Sequence, residues 1–165
     1  MIYHLNLQPL VKRKDHRALL EKAKDMFVLS CNLGQRHSDM LRIQKKNFDR
    51  NIFTIVQQKT GHRAVVDIDK FAIDKKTTYE ILEKYNYTCL YKATIGCYNS
   101  KIHELMKLAG LTEDVLLETK IQDEIKEEIF PKYKLIASHT ARRTFISANV
   151  FRGIPEYRTV SYTHL

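Results

Sequence analysis

The chain has 165 residues, 44% hydrophobic and 28% charged, which suits a single folded domain and, with no apolar run long enough for a bilayer, excludes a membrane span. Lys and Arg number 28 against 19 Asp and Glu, a formal net charge of +9, so a polyanion, nucleic acid first, is the expected partner. Cys31, Cys89 and Cys97 are odd in number and lack zinc-type pairing, which fits a reducing cytoplasm.

Residues 1–14 show no clear period and are interrupted by Pro9. The basic cluster Lys12-Arg13-Lys14 follows the apolar residues, which is not the layout of a signal peptide. The stretch reads as a lead-in segment or a linker remnant. Asp15 then offers an N-cap. Leu19, Leu20, Ala23, Met26, Phe27, Ser30 and Cys31 follow at helical spacing, and Gly34 is the natural stop. A short helix is predicted from Ser38, with Met40, Leu41 and Ile43 as its apolar residues. Arg36 thus falls in a tight turn between two helices. It is either a solvated loop arginine or one aimed from a rigid corner at a ligand.

From Asn51 to Ile68 the period changes. Phe53, Ile55 and Val66 sit among β-branched neighbours, broken by Lys59-Thr60-Gly61-His62, which predicts a β-hairpin with Lys59 at its tip. Such a lysine is usually solvated. It could instead enter a DNA groove or donate a proton to a leaving group. Thr77 or Thr78 is the expected cap of a helix carrying Ile81, Leu82 and Tyr85. Another helix is expected from Asn99 to a stop at Gly110, with His103 on its polar side. Leu116 to Lys134 reads as an irregular hairpin, although Ile121, Ile125 and Ile129 are also spaced for a helix. The run Asp123 to Glu128 reads as a solvated face.

Ser138-His139-Thr140-Ala141-Arg142-Arg143 places an imidazole and two guanidinium groups together. On a helix, His139 faces the same way as Arg142 and Arg143. Ser138 is a plausible N-cap, and a helix start also favours an anion. A basic surface helix with a capping serine explains the stretch equally well, because His-x-x-Arg alone is a weak motif. The helix is expected to run through Val150 to Gly153.

Three separated places therefore carry a suitable cation, and together they resemble the tyrosine recombinases, the phage-integrase family. Gly34-Gln35-Arg36 with Asp39 three places on resembles that family's first arginine turn. Lys59-Thr60-Gly61 resembles its hairpin lysine, and His139-Thr140-Ala141-Arg142 its His-x-x-Arg box. Tyr98 to Lys101 through Ala109-Gly110 is similar to a helix of conjugative-transposon integrases. Asp67 stands where the family often has proline. The resemblance implies an α+β fold, mainly helical, with a small antiparallel hairpin or sheet, over a catalytic domain at 15–159. Its partners would be double-stranded DNA and, in the full-length protein, other protomers in a tetrameric synapse. No membrane and no cofactor are implied.

The family breaks a DNA strand by tyrosine attack on phosphorus, forming a 3′-phosphotyrosine that conserves the bond energy. By resemblance, Arg36 and Arg142 would clamp the non-bridging oxygens, a task for permanently charged forks. His139 would bond the phosphate and assist proton transfer, Lys59 would protonate the leaving 5′-oxygen, and Asp39 would orient the Arg36 corner. Arg143 reads as a surface residue or a backbone-phosphate contact. The family's second histidine or tryptophan and its nucleophilic tyrosine have no match here. Val160 to Leu165 resembles the translation of a sequencing adapter, so 160–165 is expected to be foreign and the chain inactive in cleavage by itself. The alternatives are a non-catalytic DNA-binding module or a metal-free nuclease using the same basic cleft.

Overall fold

The computed structural model describes residues 2–121 and 124–155. The expected tail at 160–165 lies outside them. The fold is built round α1 (Lys14–Leu33). Its periodic apolar residues, among them Leu20, Ala23, Met26, Leu29 and Leu33, are buried. Lys24, Asp25, Ser30 and Asn32 are buried too. The reason is that α1 is covered from several sides, by α3 (Ile68–Phe71), α4 (Lys75–Lys84), α5 (Ile95–Leu108) and α7 (Ser138–Phe151).

Each of these polar groups has a protein partner in place of water. Asp25 accepts from Lys84 Nζ at 2.6 Å and from the Tyr85 hydroxyl at 2.9 Å. Asn32 Oδ1 accepts from the Asp74 amide at 2.8 Å, and Ser30 Oγ donates to the Met26 carbonyl at 2.8 Å. Lys24 Nζ donates to the Leu5 carbonyl at 3.1 Å. That last bond fastens the lead-in segment. Leu7 and Val11 are in the core, so residues 2–13 are part of the folded unit and not a linker.

Helix starts differ from the sequence expectation in detail. Arg13 is the N-cap of α1, and Asp15 lies in the first turn, where its charge suits the helix dipole. Asp74 caps α4 in place of Thr77 or Thr78, with its carboxylate taking the Thr77 amide at 3.0 Å. These bonds hold the Asp74 carboxyl below its ordinary pKa. Thr94 caps α5, which therefore begins four residues before Asn99. His103 is half-buried on it.

The predicted hairpin belongs to a three-stranded antiparallel meander of β1 (Phe48–Asp49), β2 (Ile52–Val56) and β3 (Arg63–Asp67). Phe53 pairs with Val66 and Ile55 with Ala64, and these four face the core. The turn at 57–62 closes through the Gln57 amide on the His62 carbonyl at 2.8 Å and Gly61 on Gln57 at 2.9 Å. Asp67 caps α3, accepting from the Lys70 amide at 3.3 Å and from Asn51 Nδ2 at 2.8 Å. The stretch from Leu116 forms a regular ribbon, β4 (Asp114–Ile121) with β5 (Glu124–Pro131), and not a helix. Two short helices, α2 (His37–Met40) and α6 (Lys132–Leu135), complete the α+β, mainly helical fold. Among the described residues no helix is long and apolar enough to cross a membrane.

Gly34 ends α1 in the left-handed region, at φ 67° and ψ 15°. A Cβ costs roughly 1–2 kcal/mol in that conformation. Gly34→Ala is therefore expected to lower the urea midpoint by that much stability with the slope of the transition unchanged.

Candidate anion-binding site

The left-handed turn at Gly34 sends the chain away from α1, so Arg36 leaves the corner in an extended conformation as the N-cap of α2. Its Nη1 donates to Gln57 Oε1 at 3.1 Å. Asp39, one turn on, is fully buried, and its Oδ1 accepts the Gln58 amide at 2.8 Å. Arg42 reaches the same strand end, with Nη2 on the Val56 carbonyl at 2.5 Å and Nη1 3.9 Å from Asp39. Three residues spaced by three thus hold three consecutive residues at the base of the lysine hairpin. Asp39 is expected from the resemblance to orient the Arg36 corner. Its carboxylate positions the hairpin and Arg42, while Gln57 is the group that bonds the Arg36 side chain.

The second wall is α7. Its N-cap is Ala137, one residue before the expected Ser138. Thr140 Oγ1 reaches back to accept the Ala137 amide at 3.0 Å. The Ser138 amide is satisfied by Asn99 Oδ1 of α5 at 2.9 Å. Ala141, Phe145 and Asn149 turn inward, which sets His139 toward the opposite side. Arg142 is buried, and its Nη1 donates to the Gly34 carbonyl at 2.5 Å, across 108 residues of sequence.

Arg36, His139 and Arg142 line one pocket of about 490 Å³, joined by His37, Gln58 and Ser138. The starts of α5 and α7 both open onto it, through Thr94 and Ser138. The positive ends of two helix dipoles therefore add to the cationic side chains. Lys59 is exposed on the hairpin turn, next in sequence to the pocket residue Gln58. Arg143 is exposed on the outer side of α7, in a groove with Thr144 and Ser147.

His139 is held below the ordinary histidine pKa, first by partial burial and then by the charges of Arg143, Arg142, Arg36 and Lys59. The three cations expected at the site, Arg36, Lys59 and Arg142, thus act on the imidazole together with Arg143. Both causes disfavour the protonated imidazole. Incoming negative charge offsets those cations and favours the protonated, doubly donating form.

Two neighbours escaped the sequence reading. His37 stacks on Tyr98 with ring centroids 5.0 Å apart, and burial lowers its pKa. Gln57 carried a usable signal. Phe53, Ile55 and Gln57 alternate along β2 into the turn, so a polar side chain follows two core residues on the same face. Among the described residues no cluster of three His, Cys, Asp or Glu is arranged to hold a metal ion. What the pocket can do is bind an anion with at least one planar guanidinium fork, an imidazole and two helix starts. In comparisons with family models, curated proteins and solved structures, nothing matches the chain.

The electrostatic grouping is testable in solution. In a proton NMR titration, Arg36→Ala and Lys59→Ala are each expected to raise the His139 pKa, because each removes a positive charge that opposes protonation. An unchanged midpoint in both variants would place those cations away from the imidazole.

Proposed function

We propose that this pocket binds a DNA phosphodiester and is the phosphate-handling part of a tyrosine-recombinase site, the family that the three sequence motifs resemble. The observation that carries the reading is the meeting of Arg36, His139 and Arg142 on one pocket, with the Lys59 hairpin held to the same corner. A general surface patch would not need side chains from opposite ends of the sequence to share one cavity.

In this reading Arg36 presents its fork to the non-bridging oxygens, and Arg142 stiffens the same wall. His139 gains a proton as the phosphate enters and then donates to it. Lys59, on the turn next to the pocket residue Gln58, would deliver a proton to the leaving 5′-oxygen. Developing charge on phosphorus oxygens is met by groups already in place, which is the electrostatic part of strand transfer. Among the described residues no tyrosine lines the pocket. That observation favours a second statement: the described residues capture phosphate without supplying the attacking oxygen, and in isolation behave as a DNA-binding module.

Titration with a short duplex oligonucleotide at several salt concentrations is the test. Affinity should fall steeply with salt, and Arg36→Ala should flatten the slope by about one phosphate contact. Affinity should also rise as pH falls through the His139 transition, because the complex takes up a proton there. A flat salt dependence, or a slope indifferent to Arg36, rejects the reading. On a nicked suicide substrate run on a denaturing gel, this chain should leave no protein–DNA adduct. Nicked DNA released free of protein would instead identify a nuclease.

A further inference from the structure

We propose that Gln57 is a positioning residue that aims Arg36 into the pocket and ties that arginine to the Lys59 turn; this rests on the phosphate-binding reading above. Gln57 is 6% exposed and closes the inward row begun by Phe53 and Ile55. Its one side-chain oxygen accepts from two donors, Arg36 Nη1 at 3.1 Å and Thr60 Oγ1 at 3.0 Å. An amide oxygen has two lone pairs, so both bonds are accommodated. Its backbone is also fixed at both ends, amide to His62 and carbonyl to Gly61. Gln57 therefore has little freedom, and it passes that rigidity to Arg36. A guanidinium is planar with donors in a fixed fork, so anchoring one Nη sets the direction of the rest. Thr60 is the residue after Lys59, so the same oxygen also restrains the turn that carries the lysine.

The neutrality of the acceptor matters as much as its position. Among the described residues Arg36 has no carboxylate within ion-pair distance, and its side-chain bond goes to an amide. A carboxylate at the same place would compete with the ligand for the guanidinium, because charge-assisted bonds are about twice as strong as neutral ones. An amide orients the arginine and leaves its charge for the phosphate.

The test is a double-variant cycle on duplex binding, followed across salt concentration. Gln57→Met keeps volume and removes the acceptor. It is expected to weaken binding about fivefold, the size of one ordinary hydrogen bond. It should also flatten the salt slope in the same direction as Arg36→Ala, although no charge has been removed. In the Arg36→Ala background its effect on both quantities should be clearly smaller than in the wild type, what remains coming from the lost Thr60 bond that restrains the Lys59 turn. A merely structural role would leave the slope at its wild-type value and give losses that add to those of Arg36→Ala; either result overturns the proposal. If Gln57→Met does not fold, Gln57→Glu supplies the measurement. It keeps the length and an acceptor oxygen but holds Arg36 as an ion pair, so binding should weaken about tenfold. Unchanged binding by Gln57→Glu overturns the proposal. If Arg36→Ala itself leaves affinity and slope unchanged, the phosphate-binding reading fails, and the role of Gln57 falls with it.

Discussion

The bond from Arg142 to the Gly34 carbonyl is the contact on which the site depends. It joins α7 to the end of α1, the two elements that bring the distant halves of the sequence together. A buried guanidinium left without acceptors would cost several kcal/mol, so α7 can dock only where a carbonyl is turned toward it. Gly34 supplies that carbonyl because its left-handed conformation ends the helix and frees the group from the intrahelical ladder. One glycine therefore stops α1, directs Arg36 outward and receives Arg142. Stability and site geometry are linked at this residue, and neither can be altered there alone.

The corner also controls the hairpin. A strand presents a carbonyl, a side chain and an amide in different directions, so one residue cannot grip it firmly. Arg42, Arg36 and Asp39 divide the task, taking the Val56 carbonyl, the Gln57 amide oxygen and the Gln58 N–H. Spacing by three places them along one side of α2 and its flanks. The end of the strand is so held, and Lys59 follows it directly, although 23 positions separate Lys59 from Arg36 in the sequence (59 minus 36).

Much of the architecture was legible because it follows local rules. The apolar period of α1, its glycine stop, the change to strand period after Asn51 and the break at Lys59-Thr60-Gly61 each report a short-range constraint. The ribbon after Leu116 was legible only in part, since isoleucines spaced by four fit a helix as well. Cross-strand pairing of Leu116 with Ile129 decided it, and pairing is not a local property. The burial of Lys24, Asp25 and Asn32 was not legible either. Their partners Leu5, Lys84 and Asp74 come from other elements, and polar side chains on a helix ordinarily mark its wet side. The partner of Asp39 was not legible for a related reason. Spacing from Arg36 shows that the two are neighbours on one turn, but not that the carboxylate is spent on the amide of Gln58.

The distribution of acceptors supports the anion-binding reading. A protein that needed Arg36 only for stability would pair it with the acidic residue one turn away. Here that carboxylate is buried against the hairpin backbone and Arg42, and Arg36 receives a neutral amide. Partial burial first, and then the surrounding cations, hold the His139 imidazole below its ordinary pKa, which disfavours a further positive charge there. On the proposed reading, like charges gathered this way raise the energy of the empty pocket, and a phosphate bound there would relieve that repulsion as it formed its hydrogen bonds. Occupancy would then stabilise the fold, because mass action favours a native state that binds a ligand. Built from fixed hydrogen bonds, the pocket would meet the ligand with little reorganisation, which is the condition under which electrostatic stabilisation of a phosphoryl group is strongest.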